Sequence, residues 1–141
     1  MTASLSPALE LAVAAVERKP ENRETFRQLA DICQTSYTPL HRIVFTRLAE
    51  VLSKNPESAA LCLNLAILTL AVKRLDMAKA FSGAAIAKGA GKLDHQEMAL
   101  ACGMKDFAGR AAHTIKVPDI ESHRNPLILA ARKCGIEYSV L

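Results

Sequence analysis

Residues that could do chemistry are spread thinly along this chain. His41, His95, His113 and His123 are dispersed, and Cys33, Cys62, Cys102 and Cys134 form no C-x-x-C pair. No histidine stands at metal-ligand spacing, so reduced thiols packing as small hydrophobes are expected and a zinc or redox centre is not. His95 and Glu97 are two apart and would diverge on a helix instead of forming a metal face. In Phe81-Ser82-Gly83 a hydroxyl sits without a base nearby in sequence. Lys88-Gly89-Ala90-Gly91-Lys92 lacks the earlier glycine and the following Ser/Thr that phosphate cradling and Mg²⁺ binding need. Neither a nucleophile elbow nor a dinucleotide fingerprint occurs. The expectation is a chain with no catalytic residue, no metal and no cofactor, hence not an enzyme.

Binding chemistry is better represented. Net charge is +4 and the pI is near 9.0. The whole excess falls in residues 51–92, where Lys54, Lys73, Arg74, Lys79, Lys88 and Lys92 meet only Glu57 and Asp76. A basic patch of Lys73, Arg74, Lys79, Lys88 and Lys92 could serve nucleic acid. It has no dense Lys/Arg run and almost no interleaved aromatic for base stacking, so a solvated face favouring an acidic partner is expected instead. Asn64 is the other polar residue to explain. An amide inside an apolar stretch needs a hydrogen-bond partner or an open face. A neighbouring loop's backbone or a bound peptide's main chain would each satisfy it.

Helices must position these groups. Among 141 residues there are 24 Ala and 18 Leu, against 7 Val, 8 Ile, 4 Phe, 2 Tyr and no Trp. Ala and Leu favour helices and strand formers are scarce, so an all-α fold in a single domain, residues 1–141, is expected. Met1 to Ser6 carry no basic residue, unlike a secretory leader, and a cytoplasmic location is expected. The longest apolar run, Ala59 to Val72, falls short of the roughly 20 residues a bilayer span needs and reads as a core helix.

Caps and breakers set the expected boundaries. Ser6-Pro7 opens a helix to about Lys19, and Asn22 caps a second to about Gln34, with Phe26, Leu29, Ala30 and Cys33 on one face. Thr38-Pro39 opens a third helix, carrying Val44, Leu48 and Val51, and Asn55-Pro56 a fourth to about Lys73. A fifth runs from Leu75 to about Lys88. Asp94 and Glu97 fit a capping box for a sixth that Gly103 stops. Asp106 caps a seventh ending at Pro118, and Asn125-Pro126 opens a last one that Gly135 ends. The fourth helix is apolar nearly all round, so it must lie mid-stack with neighbours on most sides.

Self-similarity is the most specific signal. Pro20-Glu21-Asn22 recurs as Pro56-Glu57-Ser58, an offset of 36 residues. At that offset Phe26 matches Cys62, Leu29 matches Leu65, Ala30 matches Ala66 and Cys33 matches Thr69. With Lys73-Arg74-Leu75-Asp76-Met77-Ala78 across the following turn, the chain resembles the tetratricopeptide repeat (TPR) family, with Lys73 where glycine is usual. The likeness covers roughly residues 7–116. Its best units are 22–54 and 59–90, and the helices of 93–135 are degenerate. The two residues beyond the family's usual 34 fit the Thr35–Leu40 turn.

This resemblance implies a right-handed α-α superhelix of about seven to eight helices, whose leading helices line a concave groove for a partner's peptide segment. By position, Glu24, Arg27, Gln28 and Asp31 from the second helix would face it, with Leu63, Asn64 and Ile67 from the fourth. Arg27 and Asn64 fall where some relatives clamp a terminal carboxylate, but Asp94, Glu97 and Met98 replace the clamp's other members. Arg27, Gln28, Leu63, Asn64 and Ile67 are therefore the expected partner contacts of a non-catalytic scaffold or adaptor. Other readings are the arm of a larger enzyme, such as a glycosyltransferase, or a nucleic-acid-associated repeat. Self-association would cover apolar ends of the stack.

Overall fold

Helix starts are fixed by the caps that the sequence supplies. The structure, a computed structural model, describes residues 5–35, 41–111 and 125–136, which form seven helices and no strand. These are α1 (Pro7–Arg18), α2 (Arg23–Thr35), α3 (His41–Lys54), α4 (Ala59–Ala71), α5 (Leu75–Lys88), α6 (His95–Ala111) and α7 (Pro126–Lys133). Ser6 Oγ accepts the Leu9 amide at 3.3 Å and Asn22 Oδ1 the Thr25 amide at 3.1 Å, as the spacing predicts. In a capping box the Glu97 amide donates to Asp94 Oδ1 at 2.7 Å and the Asp94 amide to Glu97 Oε1 at 3.0 Å. Asn125 Oδ1 caps α7 through the amides of Leu127 and Ile128.

Two boundaries differ from expectation. Ser58, not Asn55, caps α4, through a 3.1 Å bond from the Leu61 amide. Asn55 instead turns back and donates to the Val51 carbonyl, closing the end of α3. Gly103 does not stop α6, and Asp106 opens no new helix; it pairs with Arg110 one turn on. The expected start at Thr38-Pro39, the 36–40 turn and the stop at Pro118 lie outside the described residues.

Both Gly103 and Gly109 are helical, and a Cβ at either would meet nothing within 4 Å. Gly103→Ala should therefore stabilise the chain by about 1 kcal/mol, and adding Gly109→Ala should roughly double the gain. Urea denaturation checks this. Destabilisation by Gly103→Ala would place a left-handed helix stop there after all.

Among the described residues, packing departs from chain order around α3, which makes no extensive contact with α2 or α4. α1 lies on α2, α2 on α4, α4 on α5 and α6, and α5 on α6. α4 is the hub: Leu61, Leu63, Leu65 and Leu68 are all 0–1% exposed, each contributing about 1.5–3 kcal/mol by burial. Ala66, Ala78 and Ala85 are fully buried, and small residues of this kind let helices approach closely. A strut ties α1 to α3, where Arg47 binds Glu10 at 2.7 Å and also Glu17. Those hydrogen bonds, Glu17's first, raise the Arg47 pKa. α3 packs instead on α7, which returns from beyond α6 to meet it. A pure repeat array touches only adjacent units. Here Leu127 and Ile128 are buried, and Cys134 Sγ lies 4.0 Å from the Leu52 carbonyl oxygen.

Candidate functional site

The five expected partner contacts divide into two groups. Arg27 and Gln28 are exposed on α2, on the same outward face as Glu24 and Asp31. Leu63 and Asn64 are each 1% exposed, and Ile67 is half-buried. Asn64 Nδ2 donates to the Pro20 carbonyl oxygen at 3.1 Å. That carbonyl lies in the α1–α2 turn outside any helical ladder and needs a donor. The amide therefore fastens this turn onto α4, and neither Asn64 nor Leu63 is open to a ligand. Arg23 of α2 binds Glu97 of α6 at 2.5 Å, linking two helices that each pack on α4.

The basic patch also divides. Lys73 is an exposed turn residue with φ of 64°, and Arg74 is held by Asp76 at 3.6 Å. Lys92 is exposed beyond α5. Lys79 and Lys88, however, stand on opposite flanks of α5 and both line a cavity of about 640 Å³. Lys105 joins them from α6, and Gly135 and Ile136 complete the wall. Sequence spacing could not find Lys105, because it stands on a different helix from the other two. Lys88 reaches Glu57 at 3.4 Å; among the described residues Lys79 and Lys105 have no ion-pair partner.

Other polar groups are engaged within the fold. Ser82 is fully buried, and its hydroxyl donates to the Ala78 carbonyl at 2.6 Å. His41 Nε2 lies 2.8 Å from the Cys33 carbonyl oxygen. Among the described residues no three His, Cys, Asp or Glu side chains gather as metal ligands, and no helix is long and apolar enough to cross a membrane.

Burial pushes the Cys33 and Cys62 thiols up to about 11. Burial also raises Cys134, whereas Cys102 is exposed. At pH 8 a thiol reagent should label Cys102 first, and Cys33 and Cys62 only on unfolding. The folded state holds these protons more tightly than the unfolded chain. Their stabilising contribution is therefore whole below about pH 9 and falls as pH rises toward 11, by up to about 1.4 kcal/mol per unit for each thiol. Mass-resolved labelling and pH-dependent denaturation check both points.

Compared with protein-family models, with curated proteins and with solved structures, the chain finds no match in any of the three.

Proposed function

We propose that this chain is a non-catalytic interaction module of tetratricopeptide-like hairpins, arranged as a right-handed superhelix, that docks an extended segment of a protein partner. The observation that carries the reading is a register. The 36-residue offset of the sequence has a close spatial counterpart in two contacts, one between the residues that lead into α2 and α4 and one between the helices' far ends. Ser58 Oγ donates to Glu21 Oε2 at 2.9 Å, and Gln34 Nε2 donates to the Ala71 carbonyl at 3.4 Å, both 37 residues apart. Contacts at both ends with one offset mean that α2 and α4 run parallel, as leading helices do in such an array. α6 also packs on α4.

The α4–α5 turn supports the same reading. Lys73, at the position where the family favours glycine, adopts the left-handed conformation that glycine takes at lowest cost. The Arg74 amide then bonds the Thr69 carbonyl at 2.9 Å, completing the C-terminal cap of α4.

In this reading Arg27 and Gln28 contact the partner, Ile67 edges the row, and Leu63 and Asn64 set the spacing beneath it. The cationic excess of residues 51–92 favours an acidic segment. Selection of a displayed random-peptide library on the whole chain tests it. Enriched acidic peptides should lose about tenfold or more in affinity on Arg27→Glu with Gln28→Ala, and little on Arg42→Glu of α3. No enrichment, or peptides indifferent to the paired change, would overturn the proposal.

A further inference from the structure

We infer that the cavity between α5 and α6 is a binding site for a small organic dianion, a phosphate monoester or a dicarboxylate. Its volume, about 640 Å³, lies within the range of small-molecule sites. The floor is one face of α5, where Ala80, Gly83, Ala84 and Ala87 recur at helical spacing and leave the backbone thinly covered. Lysines stand around that floor. Lys79 rises from α5 and is half-buried, and Lys88 stands at the helix's last turn with its side chain 17% exposed. Lys105 comes across from α6. A Cβ built on Gly83 would lie 3.8 Å from Lys105 Cε and 4.0 Å from its Nζ. The ammonium thus sits over the glycine, at a height that a larger residue would occupy.

Charge decides what such a cavity takes. Among the described residues its one lining carboxylate, Asp76, is paired with Arg74, and Lys88 is shared with Glu57. Lys79 and Lys105 are left as two cations on opposing helices without an anionic partner among the described residues. Two uncompensated ammonium groups around an apolar floor concentrate positive potential, which focuses on an anion of matching charge. Lysine binds such a head group as a point charge, so it serves phosphate and carboxylate alike. The site is separate from peptide docking on α2, since it uses no residue of that helix.

Calorimetric titration of the whole chain with inorganic phosphate, pyrophosphate and succinate, at one ionic strength set with sodium chloride, tests the inference. Saturable binding of at least one is expected, with a matching rise in thermal midpoint. Phosphate preferred over succinate, or the reverse, identifies the head group. Lys79→Gln or Lys105→Gln should each weaken binding by about tenfold or more, whereas Lys92→Gln, outside the cavity, should change it less than about twofold. Gly83→Leu should abolish binding without altering charge. Should the lysine variants fold poorly, this variant alone still decides, because glycine replacement inside a helix does not break it. Absence of saturable binding, equal loss with Lys92→Gln, or binding confined to long polyanions such as heparin would overturn the site.

Discussion

Asn64→Asp is expected to destabilise the fold by about 3–5 kcal/mol at pH 7, more than any surface change in the chain. The side chains are almost the same shape, so packing is unchanged and chemistry alone is tested. Asn64 is 1% exposed and its Nδ2 is 3.1 Å from the Pro20 carbonyl oxygen. Aspartate would place one acceptor against another and bury an ionised carboxylate with no partner. Burial raises a carboxyl pKa, and the protonated form can donate to the same carbonyl. The penalty relative to wild type should therefore shrink as pH falls from 7 toward 5. Asn64→Ala, which only leaves the carbonyl unpaired, should cost about 1–3 kcal/mol with little pH dependence. Urea denaturation at both pH values measures each. A stable Asn64→Asp variant would mean that the amide faces an open groove and not the α1–α2 turn.

The same residue shows where sequence reading stops. Its need for a partner was legible, because an amide among leucines must be satisfied. Which partner was not, since Pro20 is 44 residues away and only the packing of α2 on α4 brings it there. Caps behave differently. Ser6, Asn22, Asp94 and Asn125 each satisfy amides within three residues, so local chemistry alone defines them.

Gly103 is the instructive miss. A glycine after a short capped helix resembles a stop, but Ala101, Met104 and Ala108 stay in phase at offsets of three and seven and are all buried. Tertiary contact with α5 and α4 carries the helix through both glycines. Lys105 shows the converse limit. A basic cluster read along one segment misses a cation that a neighbouring helix adds to the same cavity.

Leu127→Ala is expected to cost about 2–5 kcal/mol, and the loss should be felt far from the chain's end. Leu127 is fully buried in α7, which packs on α3. Truncation to alanine removes transfer free energy and leaves a void that helices held elsewhere by Arg47 and by the α4 core cannot readily close. In an array that touches only consecutive units, a substitution near residue 130 would loosen the last hairpin and leave earlier ones intact. Here α7 joins the end of the chain to its middle. Its capping Asn125 also lies 3.9 Å from Met77 Sδ of α5. Hydrogen exchange should therefore accelerate in α3, around Leu48 and Leu52, together with α7, while the denaturant transition stays single. Selective loss in α7 alone, with α3 protected as in the wild type, would show that the C-terminal helix is an appendage. Contact with Leu52 would then contribute nothing to cooperativity.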